Sequence, residues 1–109
     1  MYKLNLPPDV TKDIELAVSV MLERFGTNVS KIILFGSYSK DKYQPDSDID
    51  LAVVLAELPN RRDLIHHKHA VELDRREVDL LFCSEEQLAS NKFVYRWINE
   101  QGVVLYEKL

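Results

Sequence analysis

The sequence predicts an α/β fold, a mixed β-sheet flanked by helices, and three observations carry that expectation. Four short runs rich in apolar residues, Lys31–Phe35, Leu51–Leu55, Arg76–Cys83 and Val103–Glu107, are bounded by turn residues and read as strands. The segments before and between them repeat their apolar residues at helical spacing. The resulting order, helix–strand–strand–helix–strand–helix–strand, suits helices laid on a sheet.

At 109 residues the chain is expected to form one domain, 1–109, with a real but small core. Its net charge of −4 argues against broad binding to nucleic acid, because grip on a phosphate backbone needs a basic surface. DNA is therefore not an expected partner. Cys83 is the only cysteine, which leaves no internal disulfide and no cysteine zinc cluster. With no signal peptide and no apolar run of bilayer length, the expectation is a cytoplasmic protein with no membrane partner.

Taken in order, residues 1–6 are a lead-in. Pro7-Pro8 suit a first helical turn, where the missing N–H loses no partner. Val10, Ile14, Ala17, Val18, Met21 and Phe25 keep one helical face, and Gly26 is a stop. Thr27–Ser30 reads as a loop, Lys31–Phe35 as the first strand and Ser37–Tyr43 as a short helical turn. Arg61–Asp74 is expected to be a helix with Leu64, Ile65, Val71 and Leu73 inward. Arg76–Cys83 follows as the third strand. Ser84-Glu85-Glu86-Gln87 is a capping box, and Phe93, Val94, Trp97 and Ile98 mark a helix that Gly102 ends.

The chemistry gathers in one stretch, IILFGSYSKDKYQPDSDIDLAVVL, from Ile32 to Leu55. One apolar run ends in Gly36-Ser37, and Asp48-Ile49-Asp50 opens the next. Alternate strand residues share a face, so Asp48 and Asp50 point the same way with Cα atoms roughly 7 Å apart. Two ionised carboxylates at that spacing repel by about 2–3 kcal/mol at an effective dielectric near 20. Asp46 adds a third if the strand starts early. A fold has little reason to hold this repulsion beside its core unless a cation sits there.

Topology sharpens the point. Gly36-Ser37 leaves the end of one strand while Asp48 stands at the start of the next, so a shared site requires the two strands to be antiparallel. The third strand follows a helical crossover and should lie parallel to the second. Asp79 then comes level with the first two aspartates. An unpaired charge inside an apolar strand is expensive, which argues against the bland reading of these aspartates as solvated turn residues. An EF-hand also fails, since Leu51 stands where the loop needs glycine. A phosphatase with an aspartate nucleophile would place Asp-x-Asp after its strand, and here the strand follows.

Gly36-Ser37, ten intervening residues, Asp48-x-Asp50 and a later Asp79 within an apolar strand resemble the minimal nucleotidyltransferases of the DNA polymerase β superfamily. Among these the chain is similar to the antitoxins paired with HEPN ribonuclease toxins, from the first helix through the closing strand. The resemblance implies the polymerase-β-like nucleotidyltransferase fold. It also implies nucleotide-binding roles for Gly36, Ser37 and Lys40, and catalytic, metal-holding roles for Asp48, Asp50 and Asp79. Two Mg²⁺ ions, ATP as substrate, and transfer of AMP to a tyrosine hydroxyl of a HEPN-type toxin complete the implied activity. Assembly with that partner or with a second copy is expected. Where family members often carry Ala-Arg-Gly after this motif, the chain has Ser39-Lys40-Asp41; Lys40 supplies the positive charge without a planar bidentate fork. The alternative is a weak or inactive domain that neutralises its partner by binding alone.

Three further features need no special chemistry. His66, His67 and His69 read as a solvated or partner-facing run, Cys83 as a small buried hydrophobe, and Trp97 as core or interface. Arg75-Arg76 could either reach a triphosphate or flank the third strand.

Overall fold

A computed structural model describes residues 5–40 and 42–109. Helix α1 spans Pro8–Phe25 and buries Val10, Ile14, Ala17, Val18 and Met21, the stripe that helical spacing predicts. A single tight turn, Gly26–Asn28, leads into strand β1, Val29–Phe35. The strand thus starts earlier than the apolar run, because Val29 is itself buried and pairs with Leu55. The remaining elements are β2 (Ile49–Leu55), α2 (Arg61–Lys68), β3 (Val78–Ser84), α3 (Glu85–Leu88), α4 (Phe93–Gln101) and β4 (Val103–Glu107).

The sheet order is β3-β2-β1-β4. β1 runs antiparallel to both β2 and β4, and β2 runs parallel to β3. Alternation sorts the side chains onto two faces. Ile32, Leu34, Leu51, Val53, Leu55, Leu80 and Phe82 join the buried stripe of α1. Ile33, Phe35, Ala52, Val54 and Cys83 pack with Leu88 and Ile98 on the opposite face. β2 is buried on both sides, which explains why its sequence is a continuous apolar run rather than an alternating one.

Two junctions follow from local chemistry. Ser84 caps α3 reciprocally: its hydroxyl accepts from the Gln87 N–H, and the Ser84 N–H donates to Gln87 Oε1. Helix α4 ends at Gly102, where a Cβ would strike the Ile98 carbonyl and the Ile33 side chain. The helix therefore turns directly against the sheet.

β3 begins at Val78 rather than Arg76 and runs one residue further, to Ser84, but the larger departure from expectation is a helix. α2 stops at Lys68 rather than Asp74, and none of its residues is buried. Val71 and Leu73 still tuck partly under the core, while Glu72 and Asp74 between and after them stay exposed. That is the two-residue period of extended chain, not a helical face. Ile65, expected inward, is 56% exposed.

Arg76 ties the start of β3 to α1. Its guanidinium is buried, donates to Asp13 and to Asp9 (3.0 Å), and donates to the Pro45 carbonyl at 2.8 Å. Three separate segments are thereby held at one point. Among the described residues no helix is long and apolar enough to cross a membrane.

Candidate functional site

The antiparallel return of β1 onto β2 brings Phe35 opposite Asp50, so the chain leaves β1 at Gly36 directly beside that aspartate. Gly36 has φ 75° and ψ −151°, a region open essentially to glycine alone. A Cβ there would collide with Asp50 Oδ2. Glycine is thus required twice, for the backbone angle and for the close approach. Ser37 begins a tight turn, Ser37–Ser39, and is half-buried. The Ser39 hydroxyl donates back to the Gly36 carbonyl at 2.8 Å and fixes the turn.

The parallel register of β2 and β3 sets Asp50 level with Asp79. Asp48 precedes β2 and is exposed, as is Asp79, whereas Asp50 is half-buried. The Asp50 carboxyl is pushed up to about 6, first by burial and then by the negative charges of Asp79 and Asp48. None of the ion pairs among the described residues involves these three aspartates. Their mutual repulsion is therefore not relieved by a side chain. Nor do any three His, Cys, Asp or Glu side chains among the described residues close into a ready-made metal cage. A set of oxygen-only carboxylates suits a hard divalent cation, and Mg²⁺ commonly takes one or two protein carboxylates and completes its shell with water and substrate phosphate. Asp48, Asp50 and Asp79 are the residues able to serve it.

Lys40 is exposed, and its Nζ stands 4.3 Å from the ring centre of Trp97 in a cation–π contact. Trp97 meets Phe35 edge-on at 5.7 Å, and Phe35 lies opposite Asp50. A continuous row, Asp79–Asp50–Phe35–Trp97–Lys40, thus crosses the end of the sheet. The helical spacing of Trp97 reads as core or interface and gives no sign of the site. Only its pairing with Phe35 across 62 residues of chain (97 − 35) places it here. Asp41 lies outside the described residues.

The other candidates resolve into structure. Arg76 is engaged by Asp9, Asp13 and the Pro45 carbonyl, and Arg75 stands 3.9 Å from Asp9, so both serve α1. His67 packs on Phe25 with ring centres 4.4 Å apart, and its Nδ1 accepts from Arg24 Nε. Burial, followed by the Arg24 charge, lowers its basicity. Cys83 is fully buried and burial pushes its thiol up to about 11, leaving it a small hydrophobe.

The sequence pattern of the nucleotidyltransferase domain family matches residues 14–101. A Methanocaldococcus jannaschii protein, provisionally designated a protein adenylyltransferase, is 27% identical over 55 residues, or 50% of this chain. The match covers 52% of that relative, so the chain spans about half its length. The crystal structure of a toxin–antitoxin complex, a mutant form of MntA–HpeT, superposes with a TM-score of 0.63 at 23% identity. The superposition covers 86% of this chain and 72% of the other, and it shows a shared fold. A crystal structure of a toxin–antitoxin with AMP-PNP gives a TM-score of 0.56 at 25% identity, over 86% of this chain and 73% of that one.

Proposed function

This chain belongs to the nucleotidyltransferase domain family, and on that premise we propose that residues 1–109 form one domain that transfers AMP from ATP to a protein hydroxyl, a tyrosine of a HEPN-type toxin in the cytoplasm. The observation that carries the reading is Asp50, set level with Asp79 and pressed against a glycine whose backbone angle and close approach both disfavour a side chain. The relative designated a protein adenylyltransferase and the toxin–antitoxin with AMP-PNP support the choice of adenylate and of a protein acceptor.

Asp48, Asp50 and Asp79 would hold two Mg²⁺ ions, which when bound activate the attacking hydroxyl and neutralise the triphosphate. The chain's own groups do the rest. Gly36 lets the phosphates approach the backbone, and the Ser37 hydroxyl donates to a phosphate oxygen. Lys40 moves from the face of Trp97 to the triphosphate. Asp79 takes the proton of the acceptor hydroxyl as its oxygen bonds to the α-phosphorus. The bond from that phosphorus to the β-phosphate oxygen breaks, and pyrophosphate leaves.

The test is to incubate a HEPN-type toxin with ATP, Mg²⁺ and this chain, then measure the toxin's intact mass. A gain of one or more AMP units that vanishes with Asp48→Asn and with Asp50→Asn is the expected result. Toxin neutralisation with no mass gain would establish binding alone instead.

A further inference from the structure

A groove of about 560 Å³ runs along the outer side of β3, with Arg76–Leu80 as one wall and the segment Lys68–Leu73 as the other. Arg76 and Glu77 lead into β3, and Val78, Asp79 and Leu80 are its first three residues. Consecutive residues of extended chain cannot all line a groove through their side chains, because successive side chains point to opposite faces of the sheet. They can do so together only through the edge of the backbone. β3 is an edge strand, with β2 as its neighbour on one side.

The hydrogen-bond pattern shows which backbone groups face the groove. The Ile49 N–H donates to the Glu77 carbonyl at 2.9 Å, and Ile49 lies in register with Val78. In a parallel pair with that phase, Glu77 and Asp79 turn their N–H and C=O groups toward β2. Val78 and Leu80 turn theirs outward. The groove therefore presents a row of strand-forming donors and acceptors with Asp79 between them. Its charges disfavour a phosphate ligand: the carboxylates of Glu72, Glu77 and Asp79 outnumber the Lys68 ammonium in the lining, His69 is the other basic group there, and the Arg76 guanidinium is engaged by Asp9 and Asp13.

We propose that the β3 edge docks an extended segment of the acceptor protein as an added strand, delivering that segment's hydroxyl beside Asp79. The proposal rests on the protein-hydroxyl reading above. Backbone pairing supplies the grip, and the carboxylate in the middle of the row selects the position of the reacting side chain. An edge strand left with an outward row of unpaired groups is a ready template for such pairing.

Val78→Pro tests it. Val78 is the first residue of an edge strand and its N–H points outward, the setting in which proline is tolerated. Val78→Ala is the control, losing the same packing while keeping the N–H. The measurements are AMP addition to the HEPN-type toxin, the rise in melting temperature with ATP and Mg²⁺, and amide exchange at Val78 and Leu80 with and without that toxin. The expected result is at least a tenfold loss of AMP addition in Val78→Pro but not in Val78→Ala, with the ATP-dependent rise intact in both. Slow exchange of the Val78 and Leu80 amides only in the complex is also expected, and it decides the matter if Val78→Pro does not fold. Undiminished transfer by Val78→Pro, or unchanged exchange, overturns the docking edge and leaves the transferase reading standing. Protection of the same amides by self-association of the protein alone assigns the edge to a second copy and also overturns it. No AMP addition by the unaltered protein overturns both.

Discussion

A carboxyl that titrates near 6 makes stability depend on pH in the direction opposite to that of a salt-bridged acid. The folded pKa of Asp50 lies above the ordinary value of 3.8, so its contribution is fully favourable below about 4 and is lost as pH rises through about 6. Two pH units would correspond to nearly 3 kcal/mol in full; solvent screening of a half-exposed group reduces this to about 1 kcal/mol. Asp50→Asn, in chelator at pH 8, is therefore expected to raise the melting temperature by about 4–6 °C. The gain should disappear at pH 4, where the native carboxyl is already neutral. A melt series across pH reads this directly, and a mutant less stable at pH 8 would mean that Asp50 is a structural residue. Gly36→Ala should act the other way. Its backbone angles and the neighbouring Asp50 oxygen both reject a methyl group, at a cost of about 1–3 kcal/mol. Denaturant unfolding would measure it.

At the scale of elements, Arg76 is the joint between α1, the turn at Pro45 and β3. Removing one member of a buried ion pair typically costs 3–5 kcal/mol, because the other charge is stranded. Here Asp9 is half-exposed and Asp13 partly so, and both can regain water. Arg76→Met is accordingly expected to cost only about 1–3 kcal/mol in urea unfolding. The hydrogen bond from Arg76 holds the Asp9 carboxyl below its usual range, so this stabilisation is present above the ordinary carboxylate pKa and fades as the solution becomes more acid. Arg76→Met should show a smaller loss of stability on acidification than the native protein. The Arg76 joint was not legible in the sequence, because its acidic partners lie 63 and 67 residues away. The strands and the register of Asp50 with Asp79 were legible, since apolar runs, turn residues and the handedness of a crossover are local or nearly so. The true end of α2 was not: an apolar residue at every second position between charges fits a frayed helix and an extended strap equally well, and only the core beneath Val71 and Leu73 decides.

For the whole molecule, ligand binding and folding are one equilibrium. ATP with Mg²⁺ at a hundred times its dissociation constant should stabilise the fold by about 2.7 kcal/mol, or roughly 11–16 °C in a chain of this size. Asp48→Asn should abolish that shift in a melt while leaving the ligand-free midpoint unchanged or slightly higher, because it removes one of the charges that repel Asp50. The sheet end that gathers these carboxylates also carries the chain's single tryptophan, with a lysine ammonium on its face and Phe35 at its edge. That arrangement makes the protein its own optical probe. Excitation of Trp97 reports one location and nothing else, and a nearby cation alters indole emission through its electric field. If Lys40 leaves the ring for a triphosphate, emission intensity and wavelength must both respond on mixing with nucleotide, and Lys40→Met should silence the response. The arrival of substrate could then be timed in a stopped-flow cell with no label attached.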